Sequence, residues 1–192
     1  MNKPFGLGGE RTFPIFMNYP VDSLVDRAAI LAHHAHQVLM DHRRKYDGTP
    51  YISHPMAVAQ MVAEFGGTDE MVAAALLHDT LEDTPLDPRL IFNLDDTGEV
   101  LDLVIELTDI SRPENGNRVI RKTIDRLHTA QASEAGQNIK LCDLIHNAQN
   151  IQDFDPEFAK VYRSEMRLLL PMMTKADISL KKQLEEILAK YP

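Results

Sequence analysis

Tryptophan is absent from this 192-residue chain, and aromatic residues of all kinds make up only 6% of it. A core built from such a sequence must be mainly aliphatic, with Ala and nine Met residues filling irregular gaps. There is one cysteine, Cys142, so no disulfide can form within the chain, and a reducing, cytoplasmic setting is expected. No run approaches the roughly 18–20 apolar residues of a membrane span. Gly, Glu, Arg and Pro interrupt the first twenty residues, where a signal peptide would need a continuous apolar segment. Positive charge is in deficit: 20 Lys and Arg against 29 Asp and Glu leave a net charge of −9. That argues against nucleic acid or an anionic membrane as partner. A small anionic ligand stays open, because a bound cation or a local basic cluster reverses the sign within one cleft.

What is there reads as helix. The 44% hydrophobic content and the length suit one globular domain. An irregular arm is expected over residues 1–20, broken by Pro4, Gly6, Gly8, Gly9, Pro14 and Pro20, followed by a single domain over 21–192. Leu24, Ala28, Leu31, Ala35, Val38 and Leu39 recur at spacings of three and four. They predict a helix from Ser23 to about His42 or Arg43, with Asp22 or Ser23 as its cap. A turn-rich connector (YDGTPYIS, 46–53) leads to a second helix, starting near Pro55 and stopping at Gly66-Gly67. Thr68 caps a third, from Asp69 to about Asp83, whose middle (Ala73 to Leu77) is apolar all round and therefore central. A short segment over 87–93 and a helix over 97–107 follow. After a loop at 111–117 comes a long basic helix from Asn117 to about Ala135, ended by Gly136. Another helix is predicted near Ile139 to Ile151, a further one from Asp155-Pro156 toward Ala176 with a kink at Pro171, and a last one over 179–190. No strand series or internal repeat is evident, so the fold class is all-α, a helical bundle.

Metal-ligand residue types occur in three separate segments. His54 stands just before the proline of the second helix, His78-Asp79 lies near the end of the apolar third helix, and Asp143 falls on a later helix. Two imidazoles and two carboxylates make a mixed nitrogen–oxygen shell that suits Mn²⁺, Fe²⁺ or Zn²⁺. An open position would let the ion acidify a water or polarise a phosphoryl oxygen. Glu82 is four residues after His78 and three after Asp79, and Asp83 is four after Asp79. On one continuous helix this spacing places them with the ligands, able to orient an attacking water and move its proton. Lys140, Asp143 and Asn147 form one polar stripe on an otherwise apolar helix, which must find partners or face a cleft. Each piece has an ordinary alternative. The acids could be a solvated helix end, His54 a cap, and Asp143 the partner of Lys140. Acids at a helix C-terminus oppose its dipole, which favours a cation there.

Taken in order, three stretches resemble the hydrolase domain of the RelA/SpoT-type alarmone enzymes, above all the stand-alone small alarmone hydrolases. They are HRRKYDGTPYISHPMAVA (42–59), AALLHDTLEDT (74–84) and IKLCDLIHNAQNI (139–151), with LTD (107–109) and NRVIRK (117–122) between them. The resemblance covers about residues 26–151. It implies an all-α HD fold and Mn²⁺-dependent hydrolysis of guanosine 3′-diphosphate 5′-diphosphate and the related pentaphosphate, releasing pyrophosphate from the 3′ position. It implies His54, His78, Asp79 and Asp143 as metal ligands and Glu82 and Asp83 as the catalytic pair. Arg44 and Lys45 would contact the nucleotide, and Asn147 would line the pocket, with Lys140 beside it on the same stripe. The sequence departs from the family's usual KLADRLHN by reading KLCDLIHN, so Leu144 stands where an Arg is usual.

Basic residues support a phosphorylated substrate separately from the resemblance. Arg43, Arg44 and Lys45 cluster before the His54 block, and Arg118, Arg121, Lys122 and Arg126 lie at helical spacings on the basic helix. The alternative is solvated faces paired with the abundant acids. Two rival functions remain. One is the same chemistry on another nucleotide, such as NADPH or a deoxynucleotide. The other is a non-catalytic nucleotide-binding regulator, against which the Glu82-Asp83 pair argues. The expected partner is thus a small-molecule nucleotide rather than nucleic acid or membrane, and a homo-oligomer is compatible with the sequence.

Overall fold

Seven consecutive residues, Met71 to Leu77, are buried in one short helix, and the other helices are arranged around it. The computed structural model describes residues 22–190, so the arm expected over 1–20 lies outside the described residues. The helices are α1 (Leu24–His33), α2 (Ser53–Phe65), α3 (Asp69–Leu77), α4 (Thr80–Asp83), α5 (Pro88–Phe92), α6 (Glu99–Leu107), α7 (Arg118–Gln131), α8 (Glu134–Phe154), α9 (Pro156–Leu169) and α10 (Ile178–Lys190). Among the described residues the one extended pairing is an isolated bridge between Arg43 and Pro50, so the fold is all-α as expected. No described helix is long and apolar enough to cross a membrane.

Helix α3 packs against α1, α2, α6 and α8, which accounts for its burial on every side. Its start is set by Thr68, whose hydroxyl accepts from the Met71 amide. Helix α2 ends at Gly66, in the left-handed region at φ +95°, a conformation that costs glycine little. One apolar cluster continues from Val25 on α1 to Leu188 on α10.

Four boundaries differ from the sequence expectation. The first helix does not run regularly to His42, because it passes at His34 into a π-helical turn over His34–Leu39. The third helix does not reach Asp83. Thr80 Oγ1 donates to the Leu77 carbonyl (2.7 Å), the acceptor that Leu81 N–H would otherwise take, and the helix breaks at His78-Asp79 before α4 begins. Gly136 does not separate two helices but lies in the first turn of α8, whose cap is Ser133. There a Cβ would stand 2.3 Å from Glu106 Oε2, the atom that accepts from both the amide and the hydroxyl of Ser133. Glycine lets α6 and α8 approach at that point. Lastly, Pro171 lies in a 3₁₀ turn, Leu170–Met172, that ends α9 rather than kinking a longer helix.

Because α3 has no solvent face into which it can relax, shortening one of its large side chains should leave a cavity. Leu76→Ala is expected to lower unfolding free energy by about 2–5 kcal/mol, read as a shift in the urea midpoint at unchanged m-value.

Candidate metal centre

Three elements deliver the central side chains. His54 is the second residue of α2, whose first turn tolerates Pro55 because no intrahelical partner awaits that amide. His78 and Asp79 occupy the break between α3 and α4, with Asp79 at φ −94°, ψ −3°. Asp143 lies midway along α8. The break turns two neighbouring side chains to the same point, which a continuous helix, stepping about 100° per residue, does less readily.

His54, His78 and Asp143 are buried, and each offers a ligand atom within 4.8 Å of the others. Their contacts are short: His54 Nε2 stands 3.1 Å from Asp143 Oδ1, and His78 Nε2 3.7 Å from the same oxygen. Asp79 Oδ2 completes the group at 3.1 Å from His78 Nε2 and 3.6 Å from His54 Nε2. His78 Nδ1 lies 2.8 Å from the Ala75 carbonyl, which can only accept, so that nitrogen carries the proton. The other nitrogen, Nε2, is buried and makes no hydrogen bond although two carboxylates surround it. These atoms are arranged around a point rather than along a donor–acceptor line. A lone pair fixed by a backbone hydrogen bond on the opposite nitrogen, facing carboxylate oxygens, fits a divalent cation. His54 is held in the same way from behind, its Nδ1 lying 2.8 Å from His146 Nδ1.

The electrostatics follow from the crowding. Burial alone would raise both carboxyl groups, but the imidazoles of His78 and His54 hold Asp79 below the usual carboxylate range. Asp143 is held well below it by Lys140 first and then the two imidazoles. Lys140 Nζ lies 2.9 Å from Asp143 Oδ2, and although burial opposes its charge, Asp143 keeps the ammonium well above its ordinary value. Burial would likewise lower His78, yet the Asp79 and Asp143 carboxylates push it up to about 10. His146, half-buried and next to His54 and Arg44, is lowered by desolvation first and drops to about 4.

Around this centre the remaining candidates divide. Asn147 Nδ2 donates to Asp143 Oδ1 (2.7 Å), and Arg44 Nη2 donates to Asn147 Oδ1 (3.3 Å), so both adjoin the cluster. Lys45 does not join that chain; its ammonium lies 4.8 Å from the Tyr46 ring centre and 5.7 Å from that of Phe158. Glu82 and Asp83 fall on α4, across the helix break, so the continuous-helix spacing does not explain their position. Glu82 keeps solvent contact, yet the surrounding protein and the carboxylates of Asp109 and Asp79 push it up to about 7. Asp83 is raised by burial and by Asp79, with His42 and Tyr51 opposing the shift. Two of the four basic residues of α7 are spent on ion pairs: Arg118 with Glu165 at 2.8 Å and Lys122 with Asp109 at 2.5 Å. A cavity of about 210 Å³ between α4 and α7 is lined by Glu82, Arg121 and Lys122 among others. Leu144, the departure from the family pattern, is buried beside Lys140 and Tyr162. Sequence reasoning missed His146 and Tyr51. Both lie inside the quoted blocks, His146 three residues after Asp143, which is the spacing that could have flagged it.

The HD domain family profile matches residues 28–169. The chain belongs to the HD domain family. Its relatives include the guanosine-3′,5′-bis(diphosphate) 3′-pyrophosphohydrolase MESH1 of Xenopus tropicalis, 34% identical over 140 residues, covering 70% of this chain and 73% of that one. A probable GTP diphosphokinase, RSH2, of Oryza sativa subsp. japonica is 32% identical over 182 residues, covering 88% of this chain and 24% of that one. The chain thus spans about a quarter of the length of that larger relative. Among solved structures, a metazoan ortholog of SpoT, described as hydrolysing ppGpp, superposes with a TM-score of 0.78 over 90% of this chain and 97% of that one. At 24% identity that likeness establishes the shared all-α HD fold.

In the metal-free HD domain a proton and a cation compete for His78 Nε2. With His78 raised to about 10, the proton is bound at neutral pH and must leave when a metal enters. Apparent Mn²⁺ affinity should therefore rise about tenfold per pH unit between pH 6.5 and 8.5. Competition against a chelator of known proton linkage measures the slope, and Asp143→Asn should abolish stoichiometric uptake.

Proposed function

We propose that this HD domain is a metal-dependent phosphohydrolase that removes pyrophosphate from the 3′ position of guanosine 3′,5′-bis(diphosphate) and of the pentaphosphate. The observation that carries the reading is the convergence of four ligand-type side chains on one point, with His78 Nε2 buried there without a hydrogen bond. The substrate class is supported by the activity of MESH1, to which 70% of this chain aligns. His54, His78, Asp79 and Asp143 are the proposed ligands, and the mixed nitrogen–oxygen donor set, with the family resemblance, favours Mn²⁺. The domain begins near residue 21 in this reading.

A bound divalent cation supplies Lewis-acid polarisation of the phosphoryl group and acidifies water. Glu82 and Asp83 provide the proton chemistry. A carboxyl pushed up to about 7, as Glu82 is, is poised to accept a proton near neutral pH, where an ordinary carboxylate is too weak a base. Lys140 holds Asp143 ionised, keeping it a ligand rather than a proton carrier. Arg44 and Asn147, joined to each other and to Asp143, provide the path by which a nucleotide can be registered against the reacting phosphorus. Lys45, on its aromatic neighbours, contacts the outer part of the nucleotide.

The purified protein, loaded with Mn²⁺ and given guanosine 3′,5′-bis(diphosphate), should release pyrophosphate and not orthophosphate. Asp79→Ala should show no turnover above background. Glu82→Gln should lower kcat about 10²- to 10⁴-fold while leaving Mn²⁺ content unchanged. A panel that includes NADPH and deoxynucleotides, scored separately for phosphate and pyrophosphate, identifies the substrate, and turnover of one of those in place of the alarmone would overturn the assignment.

A further inference from the structure

Tyr51 has no role in the reaction as laid out above, yet it touches three of the assigned side chains, Asp79, His54 and Arg44. Its hydroxyl donates to Asp79 Oδ2 at 2.6 Å, the same oxygen that faces both inward imidazole nitrogens. Its ring lies edge-on to His54, centres 5.9 Å apart at 78°. The Arg44 guanidinium carbon stands 5.8 Å from its ring centre. The Tyr51 ring also stacks on His42, at 3.9 Å and 4°.

That stack is itself held. The Tyr51 amide donates to the His42 carbonyl at 2.9 Å, and the His42 amide to the His36 carbonyl at 2.7 Å. His36 and His42 also meet through their Nδ1 atoms at 3.3 Å. His36 belongs to the π-helical turn after α1, so that irregular turn builds the wall behind the tyrosine.

We propose that Tyr51 is a positioning residue for the metal centre: its hydroxyl fixes which oxygen of Asp79 faces the cation, and the His42 ring keeps that hydroxyl in register. A carboxylate turns easily about its last torsion, so Asp79 by itself could present either oxygen or both. It stands at a helix break, where no regular turn restrains it. A short hydrogen bond to an ionised acceptor removes that freedom and is stronger than one between neutral groups. A phenol keeps its proton near neutrality, so toward a carboxylate oxygen 2.6 Å away it is a donor. The competing explanation is packing alone, in which case phenylalanine would serve as well.

This inference rests on the metal-centre reading, and its test separates the two. Mn²⁺ binding is measured by the loss of the free-ion spin-resonance signal on titration into the metal-stripped parent and Tyr51→Phe chains, with thermal melting in excess chelator as a folding control. The expected result is a Kd for Mn²⁺ raised about 10- to 100-fold in Tyr51→Phe, with kcat returning to near the parent value once Mn²⁺ is saturating. A Kd equal to the parent's, or turnover that stays low at saturating Mn²⁺, overturns the proposal while leaving the metal centre standing. Absence of Mn²⁺ uptake by the parent overturns both. Should Tyr51→Phe fail to fold, His42→Leu keeps the Tyr51 hydroxyl and removes the stacking ring together with its Nδ1 contact to His36. A weakened Mn²⁺ affinity in that variant supports the proposal and an unchanged one overturns it.

Discussion

Two imidazoles and two carboxylates share the middle of this protein. The Nε2 atoms of His54 and His78 each lie 3.1–3.7 Å from oxygens of Asp79 and Asp143. Carboxylates gathered away from solvent are unfavourable unless something positive balances them, a proton on His78 or a cation in its place. The helices around it supply the opposing forces. The all-buried α3 anchors one pair at its end, α8 brings Asp143 together with the Lys140 that neutralises it, and α2 holds His54 in its first turn. The hydrophobic packing holds four polar groups in an arrangement that they would not adopt alone.

A second layer of contacts ties that centre to the face where a nucleotide would lie. Asp143 meets Asn147, Asn147 meets Arg44, and Arg44 lies over the Tyr51 ring, whose hydroxyl returns to Asp79. This circuit links Asp143 on α8 with Asp79 at the α3–α4 break through residues of the connector before α2, so Arg44 meets the cluster by two routes, one on either side.

Much of this was legible in the sequence, and the parts that were not share a cause. The all-α class, the burial of Ala73 to Leu77, the Thr68 cap and the meeting of His54, His78, Asp79 and Asp143 follow from periodicity, from residue type, and from the order of the three blocks. What local pattern hides is the competition of side chains for backbone groups. Thr80 looks like a neutral helix residue, yet its hydroxyl bonds the Leu77 carbonyl at the point where α3 breaks. Gly136 looks like a breaker, but Ser133 had already capped α8, and the glycine serves the approach of Glu106. The basic run on α7 looks like a phosphate surface, but acids distant in sequence, Glu165 and Asp109, claim Arg118 and Lys122. Tyr51 and His146 act through ring faces and second nitrogens, which no spacing rule reports.

The Lys140–Asp143 pair also sets a loading order. With His78 protonated, the two carboxylates of the empty centre are balanced by one ammonium and one imidazolium, and exchange of that proton for a doubly charged ion leaves one net positive charge. On the proposed function, the vacant pocket has no net attraction for a phosphate ester and the filled one does, so entry of the ion precedes capture of the anion.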